Sequence, residues 1–517
     1  MSAHLTAATR SAALRRLAEQ RYDVIVVGGG VTGAGVALDA ASRGLRTALV
    51  ERDDLAMGTS RWSSKLVHGG LRYLARGDVA VAWESARERH HLLTRIAPHL
   101  VRPVPFLVPL DAATPPPMAA VLQAGIHAGD LLRVAALTPR SALPRPRRIG
   151  TTEALALAPG LSTDGLRGAI LYLDGQLDDD ARLVIDLART AAAHGADIVT
   201  RCAASALTAD SVRLTDGLTG ESFTARGMVV NATGIWAAEH APGLTMTASR
   251  GSHLVLRAAS LGWPRAVVST AVPGHFGRFV FAIPHADGLV HIGLTDEPAP
   301  GADGIAPDVP SADETFLLGT MSRAFARRLT PADVIGRYAG LRPLVSASGG
   351  GTADISRRHL LLTPDGGPVT IAGGKLTTYR VMARDAVDAV AGRLGSDAPS
   401  RTSTLPLLGA ASAAELRTVS ASPDLVRRYG TMASEVQSLA RLEPWLASPV
   451  VQGRSTIAAE LAYGVLAEGA LTAADLVERR TRLSLVDADR PTALDVARRV
   501  LDWATSRPHP GSVALDS

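Results

Sequence analysis

A single cysteine, Cys202, and only two lysines, Lys65 and Lys375, occur in this chain of 517 residues. One thiol cannot close an intramolecular disulfide, and it cannot by itself build a zinc cage or an iron–sulfur cluster. Such sparing use of cysteine fits a reducing, cytoplasmic setting. Long apolar runs are missing too: no stretch reaches the ~18 uninterrupted apolar residues of a membrane span, and residues 1–10 (MSAHLTAATR) lack the apolar core of a secretory leader. Membrane spanning and secretion are therefore disfavoured. Residues 11–20 (SAALRRLAEQ) are the one candidate for a basic amphipathic helix lying on a membrane, with a solvated leader helix as the preferred reading. No run of basic residues interleaved with aromatics occurs, and the net charge is only +5, so nucleic acid is not expected as a partner.

What is present is a soluble, globular composition, with 46% hydrophobic and 20% charged residues. The length calls for two or three domains of roughly 100–200 residues each. Of the 54 basic residues, 52 are arginines, so a lysine could be replaced almost everywhere. The two survivors lie in Gly-rich segments, where a compact ammonium suits and a rigid planar guanidinium does not.

Residues 22–27 (YDVIVV) form a short β-branched run bounded by glycines, as a buried parallel strand should. The small residues of 31–43 predict a helix packed closely on a sheet and stopped by Gly44, and residues 45–50 a second strand. Residues 57–74 read as a loop rich in hydroxyls and glycines running into a helix, and residues 79–96 as a helix. Residues 112–117 and 139–148 read as Pro-rich connections. Acids at 178–180 open a helix that they cap; with no His or Cys nearby, capping is a better reading than a metal site. Residues 252–256, 278–283 and 289–293 predict an antiparallel sheet. Residues 369–394 return to an α/β pattern, and from about 400 the composition becomes helical.

Gly28-x-Gly30-x-x-Gly33 sits on the first strand-to-helix turn, and Glu51 closes the second strand 18 residues beyond Gly33. This is the dinucleotide fingerprint: glycines let the backbone approach a pyrophosphate at a helix N-terminus, and the acid accepts ribose hydroxyls. Later dinucleotide-like segments at 231–234 and 373–377 make the domain an interrupted one, which favours flavin over nicotinamide.

The chain resembles the FAD-dependent glycerol-3-phosphate dehydrogenases, a quinone-linked family within the larger group that includes the D-amino-acid oxidases. The resemblance rests on residues 63–74 (SSKLVHGGLRYL), 179–183 (DDARL), 231–234 (NATG), 250–253 (RGSH), 338–344 (YAGLRPL), 373–380 (GGKLTTYR) and 476–485 (LVERRTRLSL). It covers most of the chain, with residues 110–148 and the segment before Tyr22 divergent. The fold it implies combines α/β and antiparallel β: an interrupted Rossmann-like FAD-binding domain of the D-amino-acid oxidase type, a β-sheet substrate domain and a C-terminal helical domain. The expected boundaries are an extension over 1–20, FAD-binding segments near 21–105, 165–240 and 335–395, a cap near 106–164 and 241–334, and a helical domain over 400–517.

The resemblance also implies a function: oxidation of sn-glycerol 3-phosphate to dihydroxyacetone phosphate, with electrons passing to a quinone-type acceptor at the inner face of the cell membrane. It leaves a homodimer open. Gly28, Gly30, Gly33, Glu51, Ser63, Ser64, Lys65, His68, Gly69, Gly70, Thr233, Gly234, Gly373, Gly374, Lys375, Leu376 and Thr377 are then the residues expected around the cofactor. A phosphomonoester dianion needs several cationic donors, and Arg72, Arg342, Arg357 and Lys375 are the candidates. Lys375 can serve phosphate or flavin oxygen, and Tyr73 can hold substrate or simply pack. Oxidising a secondary alcohol also needs a base of near-neutral pKa, and His253 suits that role. The sequence alone does not separate this enzyme from an oxidase of the same substrate that makes peroxide, or from a non-catalytic flavin-binding redox sensor. The accumulated cations argue against an amine oxidase.

Overall fold

Strand Arg21–Val27 forms the centre of the first sheet because its β-branched run has to be covered on both faces. The computed structural model describes residues 3–70, 78–112, 114–275, 277–302, 304–345 and 359–506. The sheet runs in the order His359–Leu362, Val369–Gly373, Ser222–Asn231, Arg21–Val27, Thr47–Val50, Asp197–Val199, with Cys202–Ser205 and Ser211–Asp216 joined alongside. Both neighbours of the central strand pair with it in parallel. Helix Val31–Ser42 lies on this sheet between helices Asp180–Ala193 and Tyr379–Leu394. Its small residues make the approach possible: a Cβ on Gly35 would stand 2.8 Å from the Tyr379 ring.

The second sheet has ten strands, with Met246–Arg257 paired to both Leu289–Gly293 and Val334–Val345, and Val101–Pro109 paired to Ala169–Leu177. It takes in Leu66–Val67, Ala169–Leu177 and Val334–Val345, strands that edges at 105, 165 and 335 would have left in the FAD-binding segments. Register explains the difference, since Val334–Val345 pairs along almost its whole length with Met246–Arg257. Beyond Ser400, helices including Pro423–Tyr429, Ala458–Ala467 and Arg490–Thr505 enclose a core of their own.

Two expectations need correction. Helix Ala7–Glu19 is neither a solvated leader nor a membrane helix. It buries Ala13 and Leu17 against the first sheet, while Arg10 reaches the Thr200 carbonyl at 2.8 Å and pairs with Asp216. Between the two Pro-rich connections lies an unforeseen helix, Pro116–Ala135. Proline 116 sits in its first turn, where a missing N–H costs nothing.

Candidate active site

A cavity of about 510 Å³ is lined by residues of both sheets. At one end is the glycine turn. Gly28 has φ +111°, and a Cβ there would stand 2.6 Å from the Ala232 carbonyl oxygen; a Cβ on Gly33 would stand 1.8 Å from the carbonyl oxygen of Gly28. Gly28 and Gly30 line the cavity, whereas Gly33 acts behind them by letting the helix close on the strand. Helix Val31–Ser42 has no side-chain cap and no acid in its first turn, which leaves its N-terminus suited to an anion. The Glu51 carboxylate accepts the Gly29 amide at 2.6 Å and the Asp53 amide at 2.8 Å, and burial pushes its carboxyl up.

At the other end, pairing in the second sheet builds a strip. Ser249 lies opposite Arg342, Gly251 opposite Gly340, and His253 opposite Tyr338. Alternate residues share a face of a strand, so all six belong to one face. A Cβ on Gly251 would meet the Arg342 guanidinium at 2.3 Å, and one on Gly293 would meet the His253 ring at 2.2 Å. The glycines thus clear the space in which the Arg342 and His253 side chains lie. The His253 ring stacks on Tyr338, with centroids 4.6 Å apart, and its Nε2 lies 2.8 Å from Ser64 Oγ. Burial, together with the charges of Lys65 and Arg342, pulls its pKa down to about 3. The expectation of a near-neutral base is therefore corrected. His253 is a neutral imidazole in a dry, cationic setting.

Arg342 is not an isolated cation. It pairs with Asp296 at 3.0 Å and donates to the Thr295 carbonyl at 3.1 Å. Lys375 lines the cavity and donates to Ser85 Oγ at 3.2 Å. It follows two glycines in the left-handed region, Gly373 and Gly374, and lies beside Leu376 and Thr377 on the same wall. Ser63, Ser64, His68, Thr233 and Gly234 line the cavity as well.

Lys65 does not. Its ammonium is buried against Asp180 Oδ1 at 3.0 Å and the Arg61 carbonyl at 3.3 Å, and it is absent from the cavity wall. Asp180 also takes the Ser63 amide and hydroxyl at 2.8 and 2.7 Å, so the lysine orders the serine loop from behind. The capping reading applies to Asp179, which accepts from Ala181 and Arg182. Gly69 and Gly70 also leave the wall: the Gly69 amide faces the Asp174 carboxylate at 3.1 Å. Arg72, Tyr73 and Arg357 lie outside the described residues.

Residues 23–380 match the family model for FAD dependent oxidoreductases, and residues 400–507 match the C-terminal domain of alpha-glycerophosphate oxidase. Glycerol-3-phosphate dehydrogenase 1 of Mycobacterium tuberculosis is 49% identical over 511 residues, spanning 97% of this chain and 99% of that relative. The chain belongs to the FAD-dependent glycerol-3-phosphate dehydrogenase family. Among solved structures, the Bacillus halodurans glycerol-3-phosphate dehydrogenase complexed with FAD superposes with a TM-score of 0.74 at 28% identity, covering 97% of this chain and 94% of the other. An L-alpha-glycerophosphate oxidase from Mycoplasma pneumoniae shares the fold at 18% identity and a TM-score of 0.56, over 75% of this chain and 99% of that one.

The residues present fit FAD, the cofactor of the family. The glycine cradle admits no Cβ, the helix N-terminus is free of acid, and Glu51 closes the second strand. Several residues of the site were not singled out from the sequence. Ser60 accepts the Val31 amide at 2.9 Å, Asn231, behind the wall, holds the 231–234 turn through Thr233, and Phe106, Tyr172 and Phe281 line the cavity as an aromatic group. Only the NATG string pointed toward any of these.

Proposed function

We propose that this chain oxidises sn-glycerol 3-phosphate at C2 to dihydroxyacetone phosphate. The observation that carries this reading is the strip on Met246–Arg257 and Val334–Val345, where His253 and Arg342 flank a pair of facing glycines. Their backbone positions are two alternations apart along the strand, roughly 14 Å, but the Arg342 guanidinium lies over Gly251, one alternation, roughly 7 Å, from His253, a span that a three-carbon phosphate ester bridges.

Bound FAD supplies the acceptor for the C2 hydride. The protein's own groups do the rest. Arg342 and Lys375 take the phosphate oxygens, which fixes the ester and aims its C2 hydrogen into the cavity. The His253 imidazole takes the hydroxyl proton at Nε2, the substrate hydroxyl replacing Ser64 Oγ as the partner of that nitrogen, as the C–H bond breaks and the carbonyl forms. The charges that depress His253 include Arg342. A dianion seated on Arg342 offsets that charge and raises the proton affinity of the imidazole when substrate is in place.

The reduced cofactor passes its electrons to a quinone-type acceptor with the protein held at a membrane surface. Two features support this. Phe106, Tyr172 and Phe281 give the cavity an apolar aromatic end. Helix Pro116–Ala135, which packs on Tyr172 and Phe279, leaves Val121, Leu131 and Val134 exposed. No described helix is long and apolar enough to cross a membrane.

The test is anaerobic stopped-flow absorbance at the oxidised-flavin band near 450 nm, a spectral setting chosen for the flavin chromophore. Bleaching by sn-glycerol 3-phosphate, with none by glycerol or a D-amino acid, is the expected result. A band that stays unchanged with the ester overturns the substrate assignment. Peroxide formed in air at the turnover rate would instead make oxygen the acceptor.

A further inference from the structure

The segment that follows Glu51 is gripped from beneath by the C-terminal helical domain. Asp54, fully buried, receives Arg479 Nε at 2.7 Å and both terminal nitrogens of Arg480 at 2.7 and 3.0 Å. Arg61, farther along the same loop, pairs with Glu478 at 2.6 Å. In the turn between Asp197–Val199 and Cys202–Ser205, Arg201 pairs with Asp475 at 2.6 Å. The Arg201 amide donates to the Asp53 carbonyl, and the Cys202 amide to the Glu51 carbonyl, both at 2.8 Å. Four charged residues of one stretch, 475–480, therefore fix three points around the wall that carries Glu51, Arg52 and Asp53. None of them lines the cavity.

We infer that the C-terminal helical domain sets the affinity for FAD, with Asp54 as the positioning residue that Arg479 and Arg480 hold. The physical basis is the discrete geometry of the contact. A carboxylate bridging two buried guanidiniums has one arrangement of low energy, and loss of the carboxylate takes from the buried Arg480 guanidinium its charge partner. The loop backbone then loses its anchor, and with it the placement of Glu51 at the end of the second strand. Asp54 touches neither the cofactor site nor His253, so its effect is on retention and not on the chemical step.

The inference rests on the FAD reading, and its test separates the two. The dissociation constant of FAD is measured for the full-length holoenzyme by the fluorescence of flavin released on dilution, alongside thermal unfolding. Three variants are compared with the parent: Asp54→Asn, Glu478→Gln, and Glu460→Gln as a control. Glu460 pairs with Arg428 wholly inside the C-terminal domain, at 2.6 Å. Asp54→Asn is expected to raise the dissociation constant about tenfold or more, and Glu478→Gln about threefold. Glu460→Gln is expected to lower thermal stability with FAD affinity held within about twofold. If Asp54→Asn does not fold, Glu478→Gln, which releases Arg61 farther along the same loop, decides on the same threefold criterion. Equal losses of FAD affinity in the Asp54 and Glu460 variants, tracking their losses of stability, would overturn the inference, as would an unchanged constant in the loop variants. A parent protein that holds no FAD overturns the cofactor reading itself.

Discussion

Ser64 Oγ stands 2.8 Å from Nε2 of His253, and both residues line the cavity. The serine hydroxyl fixes the angle of the ring, while Tyr338 stacks on its face. His253→Ala removes the proton acceptor and is expected to slow flavin reduction by about 100-fold or more. Ser64→Ala removes one hydrogen bond and is expected to cost about fivefold, the equivalent of ~1 kcal/mol. Single-turnover reduction without oxygen measures both. A His253→Ala rate within twofold of the parent would remove His253 from the mechanism.

Arg342 enters the site already paired with Asp296. Its guanidinium is thereby locked in position, and the phosphate binds to an oriented fork. Arg342→Gln loses charge-assisted bonds of ~1.5–3 kcal/mol, so KM for sn-glycerol 3-phosphate is expected to rise by ten- to a hundredfold. The rate of flavin reduction at saturating ester is expected to fall much less than kcat/KM. A KM unchanged from the parent would place Arg342 outside the phosphate contact.

Three buried histidines give the protein a pH signature. Burial holds His253 near 3 and pushes His285 and His291 well below their usual value, with the Arg482 charge acting on both. The unfolded chain protonates these rings below about 6.5 and the folded chain does not, so stability falls as pH drops from 6.5 toward the folded values. Each histidine contributes a slope of about 1.4 kcal/mol per pH unit. Glu51 and Glu460, raised by burial, act with the opposite sign. The test is therefore the difference between parent and His291→Asn, in which Asn keeps a polar atom near the Tyr338 hydroxyl. Urea unfolding at pH 7.5, 6.5 and 5.5 is expected to show a flatter decline for the variant, and parallel curves would contradict the assignment.

The cofactor half of the site was legible where its parts are contiguous. Gly28 to Glu51 is one strand, one helix and a second strand, and local pattern specifies each. His253 and Arg342 were legible as members of short motifs, but not their arrangement, because the facing of Gly251 and Gly340 is a matter of register between distant strands. Lys65 was misread for the same reason: its partner, Asp180, opens a helix far along the chain. The grip of Arg479 and Arg480 on Asp54 left no trace in either segment taken alone. Helix Pro116–Ala135 escaped because apolar residues surround it, and periodicity needs contrast to be seen.

That missing contrast bears on the proposed membrane contact. The helix carries two charged residues, Asp130 and Arg133, and pairs them with each other; Arg133 is buried, with its guanidinium on the Thr138 carbonyl. Its outer side is left with Val121, Leu131 at 70% exposure and Val134, and Leu137 at 81% lies just past its end. Exposed Arg140, Arg145 and Arg148 follow. An apolar face beside basic residues is the chemistry of an anionic lipid surface. Leu131→Asp combined with Leu137→Asp is expected to reduce sedimentation with phosphatidylglycerol vesicles by at least tenfold, since each leucine contributes ~1.5–3 kcal/mol on burial. Anaerobic flavin reduction should be unchanged, because neither residue lines the cavity. Leu218→Asp, at an exposed turn of the first sheet, serves as the control and should sediment like the parent. Vesicle binding that survives the double change would move the membrane face elsewhere. Binding lost together with flavin reduction would show that the helix supports the cavity through Tyr172 and has no role at the lipid.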